Sequence, residues 1–160
     1  MTTHRIDPKT DRKNRSLLAI AVILLFAIAA FFLTRPVTMA QSASPVAGLM
    51  TLRASAQQAM PYEQAIANGQ PTLVEFYADW CTTCQAMAPT LETVHHQFDT
   101  DLNLVMLNID DPQWRSQVQQ FGVTGVPHIA LIDRQGAIAE TFVGKVPKSI
   151  LTQRLQALLS

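Results

Sequence analysis

Leu17 to Leu33, LLAIAVILLFAIAAFFL, is an unbroken run of 17 apolar residues. A helix built from it has no polar face, so it cannot clothe a water-soluble core, and the rest of the chain must fold without it. Seventeen helical residues reach the lower edge of what spans the roughly 30 Å hydrocarbon layer of a bilayer. The run is therefore expected to be one transmembrane anchor. Arg5, Lys9, Arg12, Lys13 and Arg15 precede it, and only Arg35 follows closely. The basic flank is expected to stay on the cytoplasmic side or its equivalent, with everything after Arg35 exported. A cleaved signal peptide is the alternative, since Ala40 and Ala43 follow, although the apolar cores of such signals run about 7 to 15 residues. Asp7 and Asp11 set the flank apart from an acidic-poor organelle transit peptide and favour a bacterial chain, or one encoded inside an organelle.

The expected organisation is a basic cytoplasmic-side tail over 1–16, the anchor over 17–33, a flexible Ser-, Ala-, Pro- and Gln-containing spacer over 34–52, and a folded domain over 53–160. A domain of that size buries a core without disulfide staples. Lys plus Arg and Asp plus Glu balance at 12 each, which leaves no electrostatic footprint for a polyanion and argues against a nucleic-acid partner.

Within the domain, a helix is expected from about Arg53 to Asn68, divided or kinked at Pro61 and ended at Gly69. PTLVEFYA is a short, mostly apolar run that suits a buried strand. Thr82 to about Phe98 suits a helix through Pro89, LNLVMLNID a second strand, and Pro112 opens a short helix to about Phe121. HIALID, the turn RQG and AIAETFVG form an antiparallel pair, and Pro147 to Leu159 closes with an amphipathic helix. Alternating strands and helices followed by a hairpin and a helix imply an α/β fold, with a mixed central sheet flanked by helices.

Cys81 and Cys84, within ADWCTTCQAMAP, are the chain's two cysteines. A bridge between them closes a tiny loop and restricts the unfolded chain little, so stability is a poor reason for the pair. Cys81 falls at a helix start, where unpaired backbone N–H groups and the positive end of the macrodipole stabilise a thiolate and bring its pKa below the free value of about 8.5. Cys84, one turn later, reaches a sulfur bonded to Cys81. The spacing therefore supports exchange in two steps: Cys81 attacks a partner disulfide, and Cys84 resolves the mixed disulfide. Against a zinc site, which needs about four ligands, no second Cys pair exists, and His95 and His96 lie far down the same helix. Redox chemistry is thus favoured over a metal site or an inert bridge, and no metal or cofactor is expected.

VEFYADWCTTCQAMAP, FGVTGVPHIALID and VGKVP together resemble the thioredoxin superfamily, from about residue 55 to 159. Within it they are most similar to the membrane-anchored, TxlA-type branch of cyanobacteria and chloroplast thylakoids. The resemblance implies a thioredoxin-like fold with Cys81 as nucleophile and Cys84 as resolver. It puts Pro127 at the family's cis-proline position, with Val126 beside Cys81 and its backbone open to an extended substrate. Trp80, Val126, Pro127, His128 and Gly144 are the substrate-binding residues so implied. Simple packing is the rival role for Trp80 and a structural role the rival for His128.

Two departures stand out. Glu75 occupies the place of the family's buried aspartate, and Met106 that of its lysine partner. A carboxylate buried without a cation has a raised pKa and suits the acceptance of a proton from Cys84; the alternative is a strand carboxylate that reaches solvent. Thr82-Thr83 replaces the usual Gly-Pro, so no reduction potential carries over. The resemblance implies a reductase on the lumenal or periplasmic side of a thylakoid or plasma membrane, supplied with electrons by a CcdA-type membrane thiol transporter. Its clients would be apocytochromes c and other exported proteins with disulfides. A thiol oxidase or isomerase, and a copper-binding module of the same fold, are the alternatives.

Overall fold

PTLVEFYA yields strand β1, Thr72–Tyr77, and all six of its residues are buried. Only a central strand covered on both faces has that pattern, and it decides the architecture. The computed structural model describes residues 20–26, 45–98 and 100–160. The chain divides into two units, Met1–Ser42 and Ala43–Ser160. Of the first unit the described residues form a helical stretch over 20–26, inside the apolar run. The remainder of the expected anchor and the basic tail lie outside the described residues, among which no helix is long and apolar enough to cross a membrane.

The second unit runs α1 (Pro45–Gln58), α2 (Tyr62–Ala67), β1, α3 (Thr82–Phe98), β2 (Asn103–Asn108), a 3-10 turn at Pro112–Trp114, α4 (Arg115–Gln120), β3 (His128–Ile132), β4 (Ile138–Val143) and α5 (Lys148–Leu159). The sheet order is β2-β1-β3-β4, with β1 parallel to β2 and antiparallel to β3. That is the mixed sheet expected. The helix anticipated before β1 is two pieces, as Pro61 suggests, because a proline cannot donate into a preceding turn. Gly69 follows the second piece at φ +71°, a conformation that favours glycine.

The flexible spacer expected over 34–52 requires correction. Residues 45–52 are the first half of α1. Gly48 is buried, and Leu52 has no exposed surface and joins the cluster that holds the cysteines. Ser, Ala, Pro and Gln composition suggests a linker, but one leucine and one glycine facing α3 anchor a helix.

Side chains on β1 alternate between two cores. Leu73 joins Met87, Leu91 and Val94 of α3 with Leu151 and Leu155 of α5 on one face. Val74 and Phe76 join Ala65, Phe121 and Ala130 on the other. Cys81, Cys84, Tyr77, Ala78, Leu52 and Ala88 form a third cluster, joined by Met106, Ile109 and Val126. Asn103 ties the start of the sheet together: its Nδ2 donates to the Ala65 carbonyl at 3.1 Å and to Thr72 Oγ1 at 3.0 Å.

Candidate redox site

Cys81 immediately precedes α3 and occupies its N-cap. Its N–H donates to the Ala78 carbonyl at 3.1 Å, and its own carbonyl accepts the Gln85 N–H at 3.0 Å. Its Sγ accepts the Cys84 N–H at 3.0 Å. The sulfur thus takes the part that a serine oxygen plays at an N-cap, satisfying one of the helix's unpaired donors. A backbone donor aimed at sulfur, together with the helix dipole, favours negative charge on Cys81 over Cys84.

Cys81 and Cys84 form a disulfide with their Cα atoms 5.2 Å apart. Cys81 keeps 5% of its surface exposed and Cys84 none. An incoming sulfur therefore meets Cys81 first, and Cys84 acts only from inside.

Glu75 lies on the same face of β1 as Leu73 and Tyr77, between the α3 core and the cysteine cluster. Its lateral neighbours in the sheet are Met106 on β2 and Ile129 on β3. It has no exposed surface, and neither carboxylate oxygen has a hydrogen-bond partner. Burial alone pushes its pKa up to about 8, since no cation or donor offsets the loss of water. The alternative of a strand carboxylate that reaches solvent does not fit this geometry.

Val126 packs against the cysteine cluster, and the Val126–Pro127 bond is cis. The Gly144 N–H donates to the Pro127 carbonyl at 2.8 Å, with Gly144 at φ +85°. The structure therefore sets Val126 against the cysteines, with Pro127 bonded in cis to it and Gly144 hydrogen-bonded to Pro127. Trp80 is 64% exposed, and its Nε1 donates to Asp110 Oδ2 at 2.9 Å. Its ring is held at the surface by its polar edge instead of being packed away, so simple packing does not account for it.

His128 is a correction to the substrate-contacting role expected of it. It shares a face of β3 with Ala130 and Ile132, the face opposite to Ile129 and Glu75, and meets Phe76 edge-on with ring centroids 5.7 Å apart. It is buried, both ring nitrogens lack partners, and burial lowers its pKa. Adjacency to Pro127 suggests proximity to the sulfurs, but strand alternation turns the side chain away.

Three residues escaped the sequence reading. Arg53 on α1 donates from Nε and Nη2 to Asp79 Oδ2 at 2.9 and 2.7 Å, and Gln85 Nε2 donates to the Asp79 carbonyl at 2.6 Å. Asp79 stands two residues before Cys81, inside the motif itself. Its partner 26 positions earlier carries no local signal.

The family model described as Thioredoxin matches residues 53–157. The chain is 41% identical over 109 residues to the Thioredoxin-like protein HCF164, chloroplastic, of Arabidopsis thaliana, covering 68% of this chain and 42% of that protein. It is 37% identical over 153 residues to the Thiol:disulfide interchange protein TxlA of Synechococcus elongatus, covering 96% of this chain and 75% of the relative. It also resembles the structure of a single-substitution mutant of a thioredoxin from Halobacterium salinarum, with a TM-score of 0.54 and 29% identity, the match covering 61% of this chain and 81% of that one. The chain thus spans less than half the length of the chloroplast relative.

Proposed function

Because the chain belongs to the thioredoxin family, we propose that it is a membrane-anchored protein-disulfide reductase acting on exported proteins. The observation that carries the reading is the asymmetry of the pair. Cys81 sits at a helix N-terminus with a backbone N–H on its sulfur, and Cys84 is fully enclosed in a cluster that Met106, the strand neighbour of the unpartnered Glu75 carboxylate, packs against.

In the reaction, the Cys81 thiolate attacks one sulfur of a client disulfide. The client S–S bond breaks, a Cys81–client bond forms, and the other client sulfur leaves as a thiolate and takes a proton. Cys84 gives its proton to Glu75 and attacks Cys81 Sγ. The mixed disulfide then breaks, the second client sulfur leaves as a thiolate and takes the equivalent of the proton that Glu75 gives up, the client departs as a dithiol, and the protein is left oxidised by two electrons. Trp80, Val126, Pro127 and Gly144 form the surface that receives the client chain. Return to the dithiol form requires two electrons, for which a CcdA-type membrane thiol transporter is the proposed source. Apocytochromes c, whose haem-attachment cysteines must be thiols, are the proposed clients.

The anchor reading is supported by the 17-residue apolar run with its basic leading flank. The similarity to the Synechococcus protein over 96% of the chain also extends ahead of the folded domain. The redox domain is placed on the thylakoid-lumen or periplasmic side. A membrane-impermeant thiol reagent applied to reduced membranes is expected to label Cys81 from that side, and labelling only from the cytosolic face overturns the topology.

Direction is tested by equilibrating the full chain with glutathione. A potential near thioredoxin's, about −270 mV, supports a reductase, whereas one near about −120 mV makes the protein an oxidase.

A further inference from the structure

Asp79 raises a difficulty for a nucleophile at Cys81. Its carboxylate stands two residues before the sulfur, in the turn closed by the Cys81 N–H to the Ala78 carbonyl, and a negative charge there opposes a thiolate. The surroundings add to it. Glu75 and Tyr77 face the cysteine cluster from β1, Asp110 holds Trp80 from the end of β2, and Asp111 follows it. The Val126–Pro127 segment brings no charge. Among these described groups Arg53 is the cation, and it reaches Asp79 with both Nε and Nη2.

Arg53 is also held in place. Its helix crosses the first turn of α3 so closely that a Cβ on Gly48 would stand 2.7 Å from the Gln85 carbonyl oxygen. The Gln85 side chain in turn holds the Asp79 carbonyl at 2.6 Å. Helix α1, the turn before Cys81 and the first turn of α3 thus close a ring of contacts. Tyr77, which packs in the same cluster as Cys81, has its hydroxyl pKa raised chiefly by burial, with Asp79 adding to the rise and Arg53 opposing it.

We infer that Arg53 is a positioning residue for disulfide exchange, one that neutralises Asp79 and so preserves the thiolate of Cys81. The inference rests on the reading of Cys81 as nucleophile. As an exposed pair, Arg53–Asp79 contributes little to folding; its effect falls on the charge next to the sulfur.

The test uses the reduced full chain carrying Cys84→Ser, so that one thiol titrates. The pH midpoint of thiolate absorbance and the alkylation rate of Cys81 are measured at low ionic strength. Arg53→Gln is expected to raise the midpoint by roughly half a unit, about a threefold loss of thiolate below the midpoint. Asp79→Asn, which leaves the cation without its anion at the turn that precedes Cys81, is expected to lower it by a similar amount. The double variant and Arg53→Lys return it toward the parent, and 1 M salt, with a Debye length of about 3 Å, collapses the differences. A purely structural ion pair moves both single variants in the same direction, and that result, or no movement in either, overturns the inference. If Cys81 in the parent titrates no lower than a free cysteine, the nucleophile assignment itself fails and takes this inference with it.

Discussion

Glu75 stands level with Met106 in the parallel register of β1 and β2, so the residue beside the buried carboxylate is a thioether and not a cation. With its pKa raised to about 8 by burial, Glu75 is mostly protonated at pH 7, and its ionised fraction is a stronger base than an ordinary carboxylate, on the face of β1 that it shares with Tyr77 of the cysteine cluster. Glu75→Gln is expected to leave formation of the mixed disulfide nearly unchanged and to slow its breakdown roughly tenfold or more at pH 7, general-base assistance being worth about a hundredfold or more before water substitutes for part of it. The loss should shrink as pH approaches the thiol's own range. Stopped-flow tryptophan fluorescence follows both steps, and parental resolution at pH 7 removes Glu75 from the mechanism.

The same carboxyl ties stability to pH. Its folded pKa of about 8 lies above the ordinary glutamate value of 4.5, so the folded state holds a proton that the unfolded chain releases. The stabilisation is complete below about pH 4.5 and is lost as pH rises through about 8. Denaturant unfolding of the oxidised protein should show stability falling across that window by a few kcal/mol, at about 1.4 kcal/mol per unit. Glu75→Gln should flatten the slope while matching the parent more nearly at pH 4.

Exposure distinguishes the two cysteines, with 5% of the residue's surface remaining at Cys81 and none at Cys84. Cys84→Ser should accumulate a mixed disulfide with client through Cys81, because attack requires the outer sulfur and release the inner one. Non-reducing gels and mass spectrometry read the adduct. Equal trapping by Cys81→Ser reverses the roles.

Periodicity and local chemistry made most of the fold legible. The apolar run at Thr72–Tyr77, the cysteine-headed helix and the final hairpin each appear where residue type and spacing put them. What escaped is long-range or geometric. Composition marks residues 45–52 as linker because the burial of Leu52 depends on α3, which lies far along the chain. Adjacency assigns His128 to the sulfurs, although the alternation of β3 sends it to the opposite core. Arg53 has no sequence neighbour that announces Asp79. The burial of Glu75 was legible through the resemblance, which puts a buried carboxylate at that position of the strand.

His128 supplies the converse test. Its imidazole is buried without partners and its pKa is lowered by burial, so the folded state resists protonation. Stability is present above about pH 6.5, the unfolded value, and is lost as pH falls through the lower folded one. His128→Leu should remove this acid-side loss in urea titrations and leave the rate of attack by Cys81 within about twofold of the parent. A large fall in attack rate would return His128 to the redox site.

Gly48 tests whether residues 45–52 belong to the working domain. In an unsupported helix, Gly→Ala stabilises by up to about 1 kcal/mol, because alanine loses less backbone freedom on folding. At Gly48 the added Cβ would lie 2.7 Å from the Gln85 carbonyl oxygen and 3.1 Å from its carbonyl carbon, both backbone atoms that cannot rotate aside. Helix α1 must then lift from α3, loosening Leu52 over the cysteines, and overpacking of this kind typically costs about 1 to 3 kcal/mol. The contact outweighs the propensity, so Gly48→Ala should lower stability by about 1 kcal/mol or more in chemical denaturation. It should also raise hydrogen exchange along α1 and the first turn of α3. A variant more stable than the parent would show that α1 lies free of α3 in solution, as the composition of its first half suggests.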